Sequence, residues 1–182
     1  MIEIRLHGRG GQGSVIASKI LAVAAFAEGN WVQSFPKFGV ERRGAPVEAF
    51  LRIARDKIFI RSEVTDPDFV VVLDPSLVEV IDFTTGLKEN GSILINTPKT
   101  PQELDLSDRF KVSCVNASKI AADHRLGSVT SPIVNTAICG AFARSSGLVG
   151  IDAVCEAITQ EVPIKPENNS KAARVAFEST LF

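Results

Sequence analysis

Six residues near the start of the chain, Gly8-Arg9-Gly10-Gly11-Gln12-Gly13, constrain its fold more than any other feature. They satisfy G-x-G-x-x-G. They also fall between an alternating apolar and charged stretch, Ile2 to Leu6, and a stretch whose apolar residues Ile16, Ile20, Val23 and Ala27 recur at helical spacing. The first stretch reads as a short strand. The second reads as a helix over 14–28, capped by Ser14 and ended by Gly29 in the left-handed conformation. Asn30 to Phe35 follows as a second strand. Strand, glycine turn, helix and strand make a βαβ unit, and a crossover of this kind is expected to join parallel neighbours.

Beyond that unit, Pro46 to Ile53 and Lys57 to Ile60 read as a strand pair, antiparallel additions at one edge. Phe69 to Leu73 is almost all β-branched, as in a strand covered on both faces, and Asp74-Pro75 after it is a good helix start. Val78 to Leu87 reads as a short helix, and Ser92 to Ile95 and Lys111 to Val115 as further strands. Ser131-Pro132 has the cap-plus-proline form of a helix start. Ile133 to Ser145, Asp152 to Glu161 and Pro166 to Thr180 then carry helical patterns. No repeat, low-complexity tract or linker divides the 182 residues, so 1–182 reads as a single domain. The expected class is α/β: a Rossmann-like, mostly parallel sheet with an antiparallel edge hairpin and a helical C-terminal third.

Charge and cysteine usage remove several function classes. With 20 Lys and Arg against 21 Asp and Glu, the chain lacks the cationic surplus on which nucleic-acid or acidic-membrane binding depends, and neither is expected as a partner. Cys114, Cys139 and Cys155 lie far apart, with no C-x-x-C pair and no His at metal-finger spacing. They read as buried small hydrophobes, and no iron–sulfur or zinc site is expected from this chain alone. The start, Met1 to Leu6, lacks the basic segment and apolar run of a signal peptide, and no stretch reaches membrane-spanning length; the expected compartment is the cytoplasm.

Glycines let the backbone turn sharply and a ligand approach closely, while the free N–H groups and dipole at a helix tip attract phosphate. Gly8, Gly10, Gly11, Gln12 and Gly13 are therefore candidate ligand-binding residues; the plainer reading is a tight strand–helix turn without ligand. Ser14 follows the loop where a triphosphate-binding loop needs Lys, which disfavours kinase or ATPase chemistry. Val32, Gln33 and Ser34 stand where a chain binding NAD places an acid, and the charges beyond them are Lys37, Arg42 and Arg43. A ligand bearing a further phosphate, NADP or a compound like coenzyme A, fits better than NAD.

Residues 37–61 carry seven bases and three acids, a local balance of +4 against −5 for the remainder. Arg52, Arg55 and Lys57 read as snorkelling side chains of a solvated hairpin. Arg42 and Arg43 differ. Aromatics precede the pair and Gly44-Ala45-Pro46 bends the chain after it, which suits a nucleotide-like ligand or a subunit contact. His7 reads as a structural hydrogen-bonder, His124 as an exposed helix-end residue and Asp74 as a helix cap. Asn135 stays open between facing the crevice and supporting the loop. No G-x-S-x-G frames a nucleophile and the chain has no Tyr, so no catalytic residue and no metal ligand is assigned.

Two motifs then carry a resemblance. His7-Gly8-Arg9-Gly10-Gly11-Gln12-Gly13, followed by Ala17-Ser18-Lys19-Ile20-Leu21, is the first; the more specific is Ser34-Phe35-Pro36-Lys37-Phe38-Gly39-Val40-Glu41-Arg42-Arg43-Gly44-Ala45-Pro46-Val47. With Pro132-Ile133-Val134-Asn135-Thr136 and Gly140-Ala141-Phe142, the chain closely resembles the gamma subunit of pyruvate:ferredoxin oxidoreductases. Members acting on 2-oxoglutarate or indolepyruvate tend to carry a glycine-richer turn in place of Arg-Arg-Gly-Ala-Pro, which favours pyruvate or a branched-chain 2-oxoacid.

The resemblance implies a cytoplasmic complex of anaerobic metabolism that decarboxylates a 2-oxoacid, forms acyl-CoA such as acetyl-CoA and reduces ferredoxin. Asn168-Asn169 has no Gly-Asp-Gly ahead of it, so the thiamine signature is absent here. Thiamine diphosphate with its Mg, and the [4Fe-4S] clusters, are then expected in the alpha, beta and delta partner subunits. The gamma module is associated with coenzyme A: a pyrophosphate for the glycine loop, a 3′-phosphate for Arg42 and Arg43, and an adenine for an apolar wall. The rival readings are a stand-alone NADP-binding oxidoreductase and a ligand-free assembly scaffold.

Overall fold

The computed structural model describes residues 1–37, 44–106, 108–128 and 130–182. The chain runs β1 (Ile2–Arg9), α1 (Ser14–Ala27), β2 (Trp31–Pro36), β3 (Pro46–Ala54), β4 (Phe69–Val72), β5 (Ser92–Asn96), β6 (Lys111–Val115) and α2 (Ala117–Asp123). A small ribbon, β7 (Gly127–Ser128) with β8 (Ser131–Pro132), precedes α3 (Asn135–Ser146), α4 (Ile151–Glu161) and α5 (Pro166–Ser179). The first six strands form one sheet in the order β2-β3-β1-β4-β5-β6. Its β1, β4, β5 and β6 are parallel, while β3 is antiparallel to both β1 and β2. The expected class holds: a Rossmann-like, mostly parallel sheet, an antiparallel edge hairpin and a helical C-terminal third.

The hairpin is not the expected one. It is β2–β3, and Lys57 to Ile60 forms no strand; Phe59 and Ile60 are exposed. The first crossover also does not join neighbours, because β3 returns into the place beside β1 and leaves β2 outside it. Alternation along β1 and β3 explains the insertion. Ile4, Leu6, Ala49, Leu51 and Ile53 all turn to the helix-covered face, so the two strands make one apolar surface only when paired.

That face carries α1, α3, α4 and α5. At Gly140 a Cβ would come within 1.9 Å of the Ala173 carbonyl oxygen, so only glycine lets α3 lie this close to the alanines of α5. The opposite face of β4–β6 buries Val70, Val72, Ile93 and Ile95 against Leu77, Phe83, Leu104 and Phe110. The β-branched run of β4 is accordingly buried on both sides. Leu181 pairs with Cys114 and covers the β6 edge. Among the described residues, no helix is long and apolar enough to cross a membrane.

Several local expectations are corrected. Val78 to Leu87 is not a helix: a 3₁₀ turn at Pro75–Glu79 gives way to turns pinned by Asp82, which accepts from Thr84 and Thr85, and by Gly86 at φ 75°. Ser14 is the first helical residue rather than the cap, which is Gly13 in the left-handed conformation. The buried stripe of α1 is Ala17, Ile20, Leu21, Ala24 and Ala25; Ile16 and Ala27 of the expected stripe are exposed. Ser131-Pro132 lies in the ribbon, and α3 begins at Asn135.

Arg52 is not a snorkelling surface residue. It is 1% exposed, its Nε donates to Glu3 Oε1 at 2.8 Å, its Nη1 donates to Gln33 Oε1 at 2.8 Å, and its guanidinium lies over the Phe35 ring. The segment around Glu63 walls in that face of the hairpin, and a buried guanidinium persists only with such partners.

Candidate functional site

The glycine loop leaves the carboxyl end of β1 and turns twice through left-handed backbone, at Gly11 (φ 97°) and Gly13 (φ 81°), before α1 begins. Its two sides differ. Towards β4, the side chains close on one another. Gln12 Oε1 accepts from the Arg9 N–H at 2.9 Å, and Gln12 Nε2 donates to Asp74. Arg9 Nη2 donates to Ser76 Oγ at 2.8 Å, and its Nη1 to the Gly44 carbonyl at 2.9 Å. Asp74 caps the 3₁₀ turn as expected, accepting from the Ser76 N–H at 2.8 Å. Burial works to raise the Asp74 pKa, but the bonds from Ser76 and Gln12 and the nearby Arg9 hold it below the usual carboxylate range.

Below this network, His7 and Arg5 sit on the same face of β1. Arg5 Nε donates to His7 Nε2 at 3.0 Å, and Arg5 Nη2 donates to the carbonyls of Phe83 and Thr85. His7 is thus the structural hydrogen-bonder expected. Burial, then the Arg5 charge, pushes its pKa down to about 4, so the ring is neutral at pH 7 with its proton on Nδ1. That Nδ1–H is buried and meets no partner among the described residues.

Towards α3, the tip of α1 lies against Asn135. Ala17 N–H to Gly13 O, at 2.8 Å, is the first bond of the helix, so the N–H groups of Ser14, Val15 and Ile16 lie ahead of it, and no side chain among the described residues caps them. Asn135, 5% exposed, packs against Gly13; a Cβ there would lie 2.6 Å from Asn135 Nδ2. Its Oδ1 accepts from the Thr136 N–H at 2.8 Å, which turns Nδ2 toward the loop. Asn135 therefore supports the loop and also borders an apolar cavity with Ile16 and Ile133.

Of the expected site residues, Gly8, Gly10, Gly11, Gln12 and Gly13 are together at this turn. Arg42 and Arg43 lie outside the described residues. The residues that follow them are tied to the loop: Gly44 N–H donates to Gly10 O at 3.2 Å, and Gly10 N–H to Ala45 O at 2.9 Å. Sequence reasoning missed the Arg9–Gln12–Asp74–Ser76 network, whose signal was an acid at the end of the neighbouring strand. It also missed the cavity, because helical periodicity assigned Ile16 to the core. His124 ends α2 half-buried, its Nδ1 against the Ile120 carbonyl. The three cysteines are free and buried, and burial raises each thiol pKa, for Cys114 up to about 11. Among the described residues, no three His, Cys, Asp or Glu side chains converge as metal ligands.

Residues 3–179 match the pyruvate ferredoxin/flavodoxin oxidoreductase family. The chain belongs to this family. It is similar to the pyruvate/ketoisovalerate oxidoreductases common subunit gamma of Pyrococcus abyssi, 53% identical over 184 residues that cover 99% of this chain and 97% of the relative. It is also similar to the pyruvate synthase subunit PorC of Methanothermobacter marburgensis, 50% identical over 98% of this chain and 97% of that one. Among solved structures, the pyruvate oxidoreductase subunit PORC of Thermotoga maritima superposes with a TM-score of 0.80 at 34% identity, covering 98% of this chain and 96% of that one. A 2-oxoglutarate:ferredoxin oxidoreductase from Magnetococcus marinus, solved with 2-oxoglutarate, coenzyme A and succinyl-CoA bound, shares the fold at 19% identity and TM-score 0.71, with this chain covering 30% of its length. The chain is thus a gamma subunit of a 2-oxoacid:ferredoxin oxidoreductase, in place of the stand-alone reading.

Proposed function

We propose that this gamma subunit holds coenzyme A for a cytoplasmic pyruvate:ferredoxin oxidoreductase, which converts the 2-oxoacid and coenzyme A to acetyl-CoA and carbon dioxide while reducing ferredoxin. Alpha, beta and delta subunits carry thiamine diphosphate, Mg and the [4Fe-4S] clusters, and this chain contributes no catalytic residue. Its part is to bind, orient and present the thioester-forming cofactor.

One observation carries the reading: no described side chain caps the tip of α1, while Gln12, the one long side chain inside the glycine turn after Arg9, is drawn off to Arg9 and Asp74. Three forward-pointing N–H groups and the positive end of a 14-residue helix suit a pyrophosphate. Arg42 and Arg43, a short reach of chain from Gly44 at Gly10, are the ligands proposed for the 3′-phosphate, where a guanidinium fork pairs well with phosphate oxygens. Gly8, Gly10, Gly11 and Gly13 act through backbone shape, and Gln12 by keeping the turn closed on its strand side.

Titration calorimetry of the assembled complex tests this. Replacing both arginines (Arg42→Ala with Arg43→Ala) is expected to weaken coenzyme A binding at least tenfold; unchanged affinity removes the arginines from the site.

A further inference from the structure

Lys57-Ile58-Phe59-Ile60-Arg61 has the β-branched and aromatic composition of a strand between two bases, yet it belongs to no sheet. Among the described residues, none of its backbone N–H groups meets an acceptor. Phe59 is 79% exposed and Ile60 47%. The Lys57 ammonium lies 5.5 Å from the centroid of the Phe59 ring, so it covers one face of the ring and leaves the other to solvent.

The stretch is nonetheless held in place. Gln33 Nε2 donates to the Ile60 carbonyl at 2.8 Å, and Arg52, itself fixed by Glu3 and Gln33, reaches the Glu63 carbonyl at 3.4 Å. Val64 is buried and anchors the chain beyond. Trp31 lies two residues before Gln33 on the same face of β2, the outermost strand of the sheet, and it too is 47% exposed. Three large apolar side chains thus stand in solvent around one anchored segment. A solvated loop gains nothing from them, whereas aromatics beside arginine are what the centre of a protein interface is made of.

Charge says what kind of surface fits. Nearby bases are paired, Arg52 with Glu3 and Lys37 with Glu48. Residues 55–61 set Arg55, Lys57 and Arg61 against Asp56, and among the described residues none of these three bases forms an ion pair. The patch is apolar at its centre and cationic at its ends, and its complement is apolar between carboxylates.

We propose that Lys57 to Arg61, with Trp31, is the surface on which another subunit of the oxidoreductase complex docks, through an extended segment that carries Asp or Glu on either side of apolar residues. The backbone of that segment pairs with the N–H groups of 57–61, its apolar side chains cover Phe59, Ile60 and Trp31, and its carboxylates meet Arg55, Lys57 and Arg61. This surface goes beyond the cofactor reading and does not depend on it: it is built on β2 and the chain after β3, and the bonds that hold it involve no residue of the glycine turn.

Amide hydrogen exchange on the full chain, alone and in the assembled complex, tests the proposal without any substitution. Exchange at Ile58 to Arg61 is expected to slow at least tenfold on assembly. Phe59→Asp is expected to leave the urea midpoint of the isolated chain unchanged and to weaken its association with the remaining subunits at least tenfold. Raising the salt is expected to weaken association of the parent chain, and Lys57→Glu with Arg61→Glu to weaken it at low salt and remove that dependence. Exchange at Ile58 to Arg61 as fast in the complex as in the free chain, or association unaltered by Phe59→Asp, overturns the docking surface. Association of the parent chain that ignores salt overturns the acidic partner segment. An isolated chain that sediments as a dimer, and as a monomer once Phe59→Asp is made, also overturns the proposal, because the occupant is then a second copy.

Discussion

At the carboxyl ends of β1 and β4, Arg9, Gln12, Asp74 and Ser76 satisfy one another's hydrogen bonds, whereas across the same glycine turn the first amides of α1 and the Asn135 donor are met by no described side chain. The two sides come from one short loop, and composition alone does not separate them. What separates them is where the long side chains go: Gln12 and Arg9 both turn to the strand side, and on the helix side Gly13 lies against Asn135. A turn that only had to join strand to helix would gain by capping its amides, since a Ser, Asp or Asn cap contributes about 1 kcal/mol. That stabilisation is unused on one side, beside a bonded network on the other, and the proposed ligand site rests on this contrast.

Substitutions on either side should sharpen or break this contrast. The largest effect is expected from His7, beneath the closed side. Its pKa, near 6.5 when unfolded, is about 4 in the fold, so between those values the unfolded chain binds the extra proton and stability falls as the pH falls. Urea unfolding should show a slope of up to about 1.4 kcal/mol per pH unit in that window, absent in His7→Gln. A wild-type curve flat from pH 6.5 to 4 would mean that the face is not sealed.

On the helix side, Gly13→Ala places a Cβ 2.6 Å from Asn135 Nδ2 on top of left-handed strain of about 1–2 kcal/mol. Gly11→Ala meets nothing within 4 Å and bears the strain alone. The urea midpoint should therefore fall further for position 13 than for position 11; equal losses would show that Asn135 is not braced against the turn. The smallest effect is expected for Asp74→Asn, about 1 kcal/mol at neutral pH from the weakened cap and network. Because the folded pKa of Asp74 is depressed, this difference is present above about pH 4 and closes as the pH falls further.

Much of this was legible in the chain. β4 announced itself as Phe69-Val70-Val71-Val72, and the C-terminal helices by apolar spacing between glycine and proline stops, because both signals are local. The place of β3 between β1 and β2 was not, since strand order depends on which faces pair across 37 to 51 residues of chain. Arg52 misled for a related reason: its burial is made by Glu3, Gln33 and the segment at Glu63, none of them its neighbours in sequence. At the site, the glycines and Asp74's cap could be read from residue type. The direction taken by Gln12, and the exposure of Ile16, follow from tertiary packing that no periodicity encodes.

Amide hydrogen exchange on the assembled complex, with and without coenzyme A, asks most directly which side of the turn the cofactor occupies. The first-turn amides of α1 have no intrahelical partner, so a phosphate on them should slow exchange at Ser14 to Ile16, with Asn135 and its neighbours following, while Asp74 to Leu77 stays as it was. Slowing confined to Asp74 to Leu77, or no slowing at Ser14 to Ile16 when coenzyme A saturates the complex, would contradict it.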